Sequence, residues 1–447
     1  MDIRKKMSSH SDRTNTIIRN VVFSTLIRGA NILISLILVP LTINYVSAEL
    51  YGIWLSLSSI VSWFSFFDIG FGLGMRNKLT TALALHKYKY GKILVSTTYA
   101  FMSLIFLIVG IVVSIGCTFV DWAFLLNISP EYNDIVTKSF QIVIVAFCFR
   151  MVLQIVGNVC QAYQMTALAS FVDMMGNAIA LLLVILLTNT FAPDLILLSG
   201  ALCLAPLIAF FVANIVLYYK KFLIVSPSIN YVRRFVLGDI TNLGVKFFLI
   251  QIICVILYQT TNFIISHFCG PEQVTVYNIA YKYLSVSVFI FAVVQSPIWS
   301  AFNDAYALND YKWMENIYRK LMIMMISAEF CLIFLVIVSP IAYRLWIGDS
   351  VRVPFSVTIL VAIYVGIQFV NSMQAMILNG MGKIKFQTLL VWSQGLLYFP
   401  MVLVLAEKMR LEGILLALTF VTAIPTYMLS RQVYLLIHNK AHGIYLQ

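Results

Sequence analysis

The sequence predicts an all-α polytopic membrane protein with about twelve transmembrane helices, and three observations predict it. Of its 447 residues, 61% are hydrophobic and only 11% are charged, whereas soluble domains carry about 25% charged residues. Apolar stretches of the roughly 20 residues needed to cross hydrocarbon recur along the whole chain. Lys and Arg fall between those stretches, and mostly in every second gap.

Taken in order, the expected spans are 17–46, 51–74, 92–118, 138–161, 165–188, 195–219, 241–268, 275–301, 320–343, 353–379, 385–406 and 412–437. The first is longer than a signal-peptide core and no small-residue cleavage site follows it, so it is expected to be retained. Pro40 falls inside it and is a candidate kink.

The basic residues set the expected orientation. With both termini cytoplasmic, the inside segments hold 22 Lys and Arg, from Arg4 and Lys5 through Arg76, Lys78, Lys220, Arg233 and Lys320 to Lys440. The outside segments hold five (Lys138, Arg344, Arg352, Lys408, Arg410) beside acids such as Asp121, Glu131, Asp134 and Glu272. That asymmetry is the positive-inside pattern, and it accounts for the net charge of +12 without nucleic acid as a partner. Seven cysteines stand singly in apolar segments with no C-x-x-C and no histidine cluster. Neither a disulfide framework nor a metal or other cofactor is expected.

An internal repeat divides the chain. An offset of 223 positions pairs Glu49 with Glu272 and aligns ALHKYKY (84–90) with ALNDYKW (307–313); QAYQ (161–164) and NGMG (379–382) correspond at a slightly different offset. Six spans per half is an even number, so the halves share an orientation: a parallel repeat, with an amino-terminal lobe over 1–222 and a carboxy-terminal lobe over 223–447. Carriers commonly place substrate between such halves.

Polar side chains inside the spans follow a helical period. Ser24, Arg28, Asn31 and Ser35 share one face of the first span, and Arg150, Gln154, Asn158 and Gln161 repeat the spacing in the fourth. Gln251, Tyr258 and Asn262 mark the seventh, Tyr277, Tyr281 and Lys282 begin the eighth, and Tyr364, Gln368, Asn371 and Gln374 mark the tenth. Amides and hydroxyls of this kind also hold membrane helices together by hydrogen bonds. Arginine is harder to explain that way, since at mid-bilayer it costs roughly 2.5 to 3.5 kcal/mol on insertion scales. Arg28, Arg150 and Lys282, with these polar neighbours, are therefore candidates to line a hydrated cavity.

Three acids, Asp68, Asp173 and Glu329, also fall within spans. They either neutralise the buried bases or serve in gating and ion coupling; Glu329, fairly near the cytoplasmic end of its span, is equally open to snorkelling or a structural ion pair. In WFSFFDIGFGLGMRNK (63–78), Gly70, Gly72 and Gly74 are read as loosening a helix end or permitting close contact. No strand precedes them and no Walker lysine follows, so they are no nucleotide loop. Arg76 and Lys78 are accounted for by the orientation rule alone.

The stretch NTIIRNVVFSTLIRGANILISLILVPLTINYVSAELYGIWLSLSSIVSWFSFFDIGFGLGMRNKLTTALA (15–84), with ILVSTTYAF after it, resembles the amino-terminal half-lobe of bacterial Wzx-type O-antigen flippases. These belong to the multidrug/oligosaccharidyl-lipid/polysaccharide exporter superfamily. Beyond about residue 100 the resemblance is carried by GPEQVTVYNIAYK (270–282) and NGMGKIK (379–385). It implies a twelve-helix, two-lobed, alternating-access carrier in the bacterial inner membrane. Its cargo would be an undecaprenyl-pyrophosphate-linked oligosaccharide, moved from the cytoplasmic to the periplasmic leaflet. A cationic lumen is implied for the pyrophosphate and glycan, which Arg28, Arg150 and Lys282 fit, while the prenyl tail stays in membrane lipid. A proton or sodium ion would be the coupling ion, and the O-antigen polymerase and chain-length regulator are potential partners.

Two other functions stay open. A cation-coupled drug or metabolite antiporter of the same superfamily would place acid rather than Arg28 on the cavity face. A membrane-embedded O-antigen polymerase or ligase would carry a large periplasmic loop with catalytic Arg or His. The longest expected outside segment, 119–137, contains no histidine, and no enzymatic activity is expected.

Overall fold

The computed structural model describes residues 3–65, 71–163, 165–238, 259–292, 302, 305–306, 308–383 and 385–446. Asp68 and Gln251 lie outside these described residues. Among them there is no strand, and eight stretches are long and apolar enough to cross a membrane. This is a multi-pass, all-α membrane protein.

The chain divides into two units. Unit 1 takes Met1–Ser47 and Leu57–Ile252, and unit 2 takes Ala48–Ser56 and Ile253–Gln447. In unit 1, α1 (Ile3–Val46) runs through Pro40 without interruption. After it come α2 (Ala48–Trp63), of which Ala48–Ser56 belongs to unit 2, then α3 (Phe71–Ala84), α4 (Tyr88–Gly116), the short α5 (Trp122–Leu126), α6 (Asn133–Leu153), α7 (Ile155–Ala162), α8 (Thr166–Thr190) and α9 (Leu195–Lys220). Acidic caps begin two of them. Asp194 accepts from the amides of Ile196 at 2.6 Å and Leu197 at 3.3 Å, and Asp121 accepts from Phe124 at 3.2 Å. Each satisfies amides that the first helical turn leaves without a carbonyl.

Packing in unit 1 centres on α8, which lies against both α1 and α9, and on α6, which lies against α9 and α4. Gly176 permits the α8–α9 approach: a methyl group there would stand 3.0 Å from Cα and 3.2 Å from Cβ of Pro206. On α4, Leu94, Met102 and Phe106 are buried, whereas Leu104, Leu107, Ile111 and Ile115 are exposed. An apolar face of that kind is stable where the solvent is hydrocarbon.

Two of the expected spans are organised differently. The second was expected to end at residue 74, but Gly72 and Gly74 lie inside α3, which continues to Ala84. The fourth is broken at Gln154, between α6 and α7. There the Gly157 amide donates to the Gln154 carbonyl at 2.9 Å, a tight i+3 turn, and the Leu153 carbonyl accepts from Nδ2 of Asn214 on α9 at 2.8 Å. A side chain from a neighbouring helix thus satisfies the carbonyl that the break releases.

Unit 2 contains α10 (259–269), α11 (Pro271–Ala292), α12 (Tyr311–Ile347), α13 (Phe355–Met381) and α14 (Lys385–Ile437). The last is two helices, 385–409 and 411–437, meeting at Arg410, whose φ of 49° and ψ of −124° are not helical. Gly413 belongs to that turn, because a methyl group there would overlap the Leu405 carbonyl. The unit's core includes Met314, Leu321, Met325, Phe369, Met373 and Val433. Residues 48–56 are tied into it by the Thr275 hydroxyl, which donates to the Ala48 carbonyl at 2.6 Å.

Candidate functional site

Unit 1 carries an open polar cavity of about 530 Å³, in which Arg28, Arg150 and Asp173 are exposed. Helix α1 contributes Arg28 and Asn31, one turn apart on the face that α8 packs against. Helix α6 supplies Arg150 in its last turn, and α7 supplies Gln161. From α8 come Thr166, Ser170, Asp173 and Asn177, spaced at three- and four-residue intervals that align them along one side. Pro206 and Phe210 of α9 complete the lining.

The sixth helix segment at the cavity is α3, through Arg76. The orientation rule had accounted for this residue completely, and the structure corrects that reading. Arg76 Nη1 donates to Oε1 of Gln161 at 2.7 Å, which aims a third guanidinium into the space. The signal available in sequence was that Arg76 lies only two residues beyond an apolar glycine run, within helical reach of it.

Charge in the cavity is unbalanced. Three guanidinium groups face one carboxylate, and neither Arg28 nor Arg150 makes an ion pair within 4.0 Å among the described residues. Asp173 lines the same cavity as Arg28 and Arg150 without an ion pair to either among the described residues. Nδ2 of Asn177 donates to Oδ1 of Asn31 at 2.8 Å, fixing the amides that bridge α1 and α8. Net positive charge with free guanidinium donors is the arrangement that binds phosphate or carboxylate.

Gln154 and Asn158 do not line this cavity. Arg150 and Gln161, the two ends of that stripe, do line it, while Gln154 Nε2 turns to the Met151 sulfur at 3.0 Å.

The remaining predicted residues lie in unit 2 and are mostly engaged with one another. Lys282 Nζ donates to the Tyr51 hydroxyl at 3.2 Å. Tyr281 donates to Oε1 of Gln368 at 3.1 Å, and Asn278 Nδ2 donates to Oδ1 of Asn262 at 2.8 Å. Tyr277 is buried and stacks near Tyr281, with ring centroids 5.7 Å apart. Asn371 Nδ2 reaches the Thr426 hydroxyl at 2.9 Å. These contacts knit α10, α11, α13 and α14 together. Glu329, on α12, joins none of them.

Comparison with known proteins places this geometry in a familiar fold. No protein-family profile matches the chain. It is 21% identical over 401 residues, covering 88% of this chain and 89% of the relative, to a Yersinia pseudotuberculosis protein whose name assigns it provisionally to O-antigen export. Among solved structures, an inward-facing multidrug resistance MATE family transporter of the MOP superfamily superposes with a TM-score of 0.72 at 14% identity, covering 93% of this chain and 95% of that one. A MOP superfamily transporter from Pyrococcus furiosus, described as having a binding pocket of reversed polarity, gives a TM-score of 0.68 at 11% identity over 96% of each chain. The fold is that of the MATE transporters.

Proposed function

We propose that the chain is a flippase that moves undecaprenyl-pyrophosphate-linked O-antigen oligosaccharide from the cytoplasmic to the periplasmic leaflet of the bacterial inner membrane. The observation that carries this reading is the unit 1 cavity, in which Arg28, Arg76 and Arg150 face a single acid. A lipid-borne pyrophosphate must leave water to cross the bilayer, and guanidinium groups replace its hydration with charge-assisted, often bidentate hydrogen bonds. Asn31, Gln161 and Asn177 add amides suited to sugar hydroxyls.

Two comparisons support the same reading. The Yersinia relative is named for O-antigen export, and the solved neighbours include inward-facing and outward-facing forms of a transporter with this fold. The description of the Pyrococcus protein adds that binding-pocket polarity differs within the fold. Two six-helix lobes over 1–222 and 223–447, cytoplasmic termini, alternating access and an ion gradient as the energy source belong to the proposal.

The antiporter reading keeps one specific support, Asp173 in the same cavity. Complementation of a strain lacking its own O-antigen flippase separates the two. The Arg28→Gln/Arg150→Gln double variant is expected to reach the membrane at normal abundance and to lose at least nine-tenths of surface O-antigen, about a tenfold effect and thus about 1.4 kcal/mol. Full export by that variant overturns the flippase assignment.

A further inference from the structure

The connector that follows α9, residues 221–238, carries chemistry that the polar cavity does not use. It begins where the apolar span Leu195–Lys220 ends, and so at the edge of the membrane-crossing region. Its regular structure is limited to two single helical turns, Leu223–Val225 and Ile229–Tyr231.

The segment is nevertheless fastened down along unit 1. Phe222, Val225 and Val236 are buried, and Phe222 stacks on Tyr163 with ring centroids 4.7 Å apart. The Ser228 amide donates to the Ser96 hydroxyl at 3.0 Å, and the Arg233 amide donates to the Thr97 hydroxyl at 3.1 Å. Both hydroxyls belong to α4, which has no exposed residue from 91 to 102, whereas Ser103, Leu104 and Leu107 beyond are exposed. The connector thus helps to cover α4 where, further along the helix, lipid would lie.

Its outer side combines two kinds of side chain. Leu223, Ile224, Ile229 and Phe235 are exposed, Ile229 to 90%. Lys221, Arg233 and Arg234 are exposed among them, Lys220 immediately precedes them, and no acid falls between 219 and 238. Lys92 of α4 brings a further cation to the connector, its Nζ standing 4.9 Å from the centroid of the Tyr231 ring. The positive-inside rule accounts for the cations. It does not account for large apolar side chains held out between them on an anchored backbone, which in water would be a standing hydrophobic patch. A bilayer interface satisfies both, with acyl chains for the apolar groups and phosphates for the cations.

We propose that the 221–238 connector is a lipid-binding segment that seats in the membrane interface and selects anionic phospholipid headgroups. Leu223, Ile224, Ile229 and Phe235 enter the acyl boundary, and Lys221, Arg233 and Arg234 engage headgroup phosphates, to which guanidinium groups donate charge-assisted hydrogen bonds. The site lies wholly within unit 1 and is independent of what the carrier transports.

The test is photo-crosslinking of the full-length protein with p-benzoylphenylalanine in place of Ile229, whose exposure means that the replacement disturbs no packing. The protein is reconstituted in mixed phosphatidylethanolamine–phosphatidylglycerol vesicles without cargo, and adducts are identified by mass. Phospholipid adducts are expected, with phosphatidylglycerol enriched about fivefold or more over its share of the bilayer, the gain from roughly one cation at an anionic surface. Arg233→Gln/Arg234→Gln is expected to lose most of that enrichment while lipid adducts persist. Lys312→Gln/Lys320→Gln, which removes two exposed basic residues of α12, is expected to keep it. Failure to form lipid adducts, or adducts to a second copy of the chain in their place, overturns the interfacial seat. Absence of enrichment, enrichment that survives Arg233→Gln/Arg234→Gln, or enrichment lost equally in the α12 control overturns headgroup selection by the connector.

Discussion

Arg76 and Gln161, on α3 and α7, are joined by a 2.7 Å hydrogen bond from Nη1 to Oε1. The pair lines the same cavity as Arg28 and Arg150. Lys78, two residues further on, is not among the groups that line it. The orientation rule treats these two basic residues alike, and the geometry does not. On the proposed flippase function, Arg76→Gln is therefore expected to reduce O-antigen export tenfold or more at unchanged membrane abundance, whereas Lys78→Gln is expected to leave it near wild type. Loss of the charged hydrogen bond alone is worth about 1.5 to 3 kcal/mol. Surface O-antigen and membrane immunoblots read both quantities.

What was legible in the sequence follows from which properties are one-dimensional. Apolar length and Lys/Arg placement need no knowledge of neighbours, so the all-α polytopic class emerged directly. The period of Arg28 and Asn31 on α1 was legible for the same reason: that helix continues unbroken, and both residues reach the cavity. Of the stripe Arg150, Gln154, Asn158 and Gln161, the first and last line the cavity; a turn interrupts the helix at Gln154, where Asn214 of α9 takes the Leu153 carbonyl. That contact spans 61 residues, beyond any local period. Arg76 was misread because the orientation rule explains every basic residue near a span end and so distinguishes none of them.

Lys282 is held in unit 2 by the Tyr51 hydroxyl at 3.2 Å, with the ammonium 6.0 Å from the ring centroid. Tyr51→Phe keeps the ring and removes the acceptor. It is expected to lower stability by about 1.5 to 3 kcal/mol, the range for hydrogen bonds to charged groups. Lys282→Met should lower stability less in the Tyr51→Phe background than in wild type. A double-mutant cycle on the denaturation midpoint of the detergent-solubilised protein measures the coupling.

Gly52 illustrates a different constraint. A methyl group there would overlap the Pro271 carbonyl and stand 3.1 Å from the Thr275 hydroxyl, and Thr275 is already committed to the Ala48 carbonyl. The obstacle is backbone, which does not rotate away. Gly52→Ala is expected to destabilise unit 2 by about 1 to 3 kcal/mol, as overpacking does. Gly29→Ala, with open space at its Cβ, is the control expected to unfold at the wild-type temperature. Thermal unfolding of the full-length protein compares them.

Cys269 closes α10, just outside the expected span 241–268. Burial pushes its thiol up from 9.0 to about 11, with Arg410 opposing and Glu412 adding to the rise. Thiolate is the reactive form, so alkylation by a membrane-impermeant maleimide is expected to be slow at pH 7 and to quicken about tenfold per pH unit up to pH 9. The same shift has a defined stability sign. Below pH 9 both folded and unfolded thiols hold their protons and nothing changes. Between pH 9 and about 11 the unfolded chain ionises first, so stability falls as pH rises through that window. The proposed orientation places Cys269 on the periplasmic side. Labelling of right-side-out spheroplasts is therefore expected to proceed with this pH dependence, and labelling confined to inverted vesicles would reverse the assigned sidedness of the whole chain.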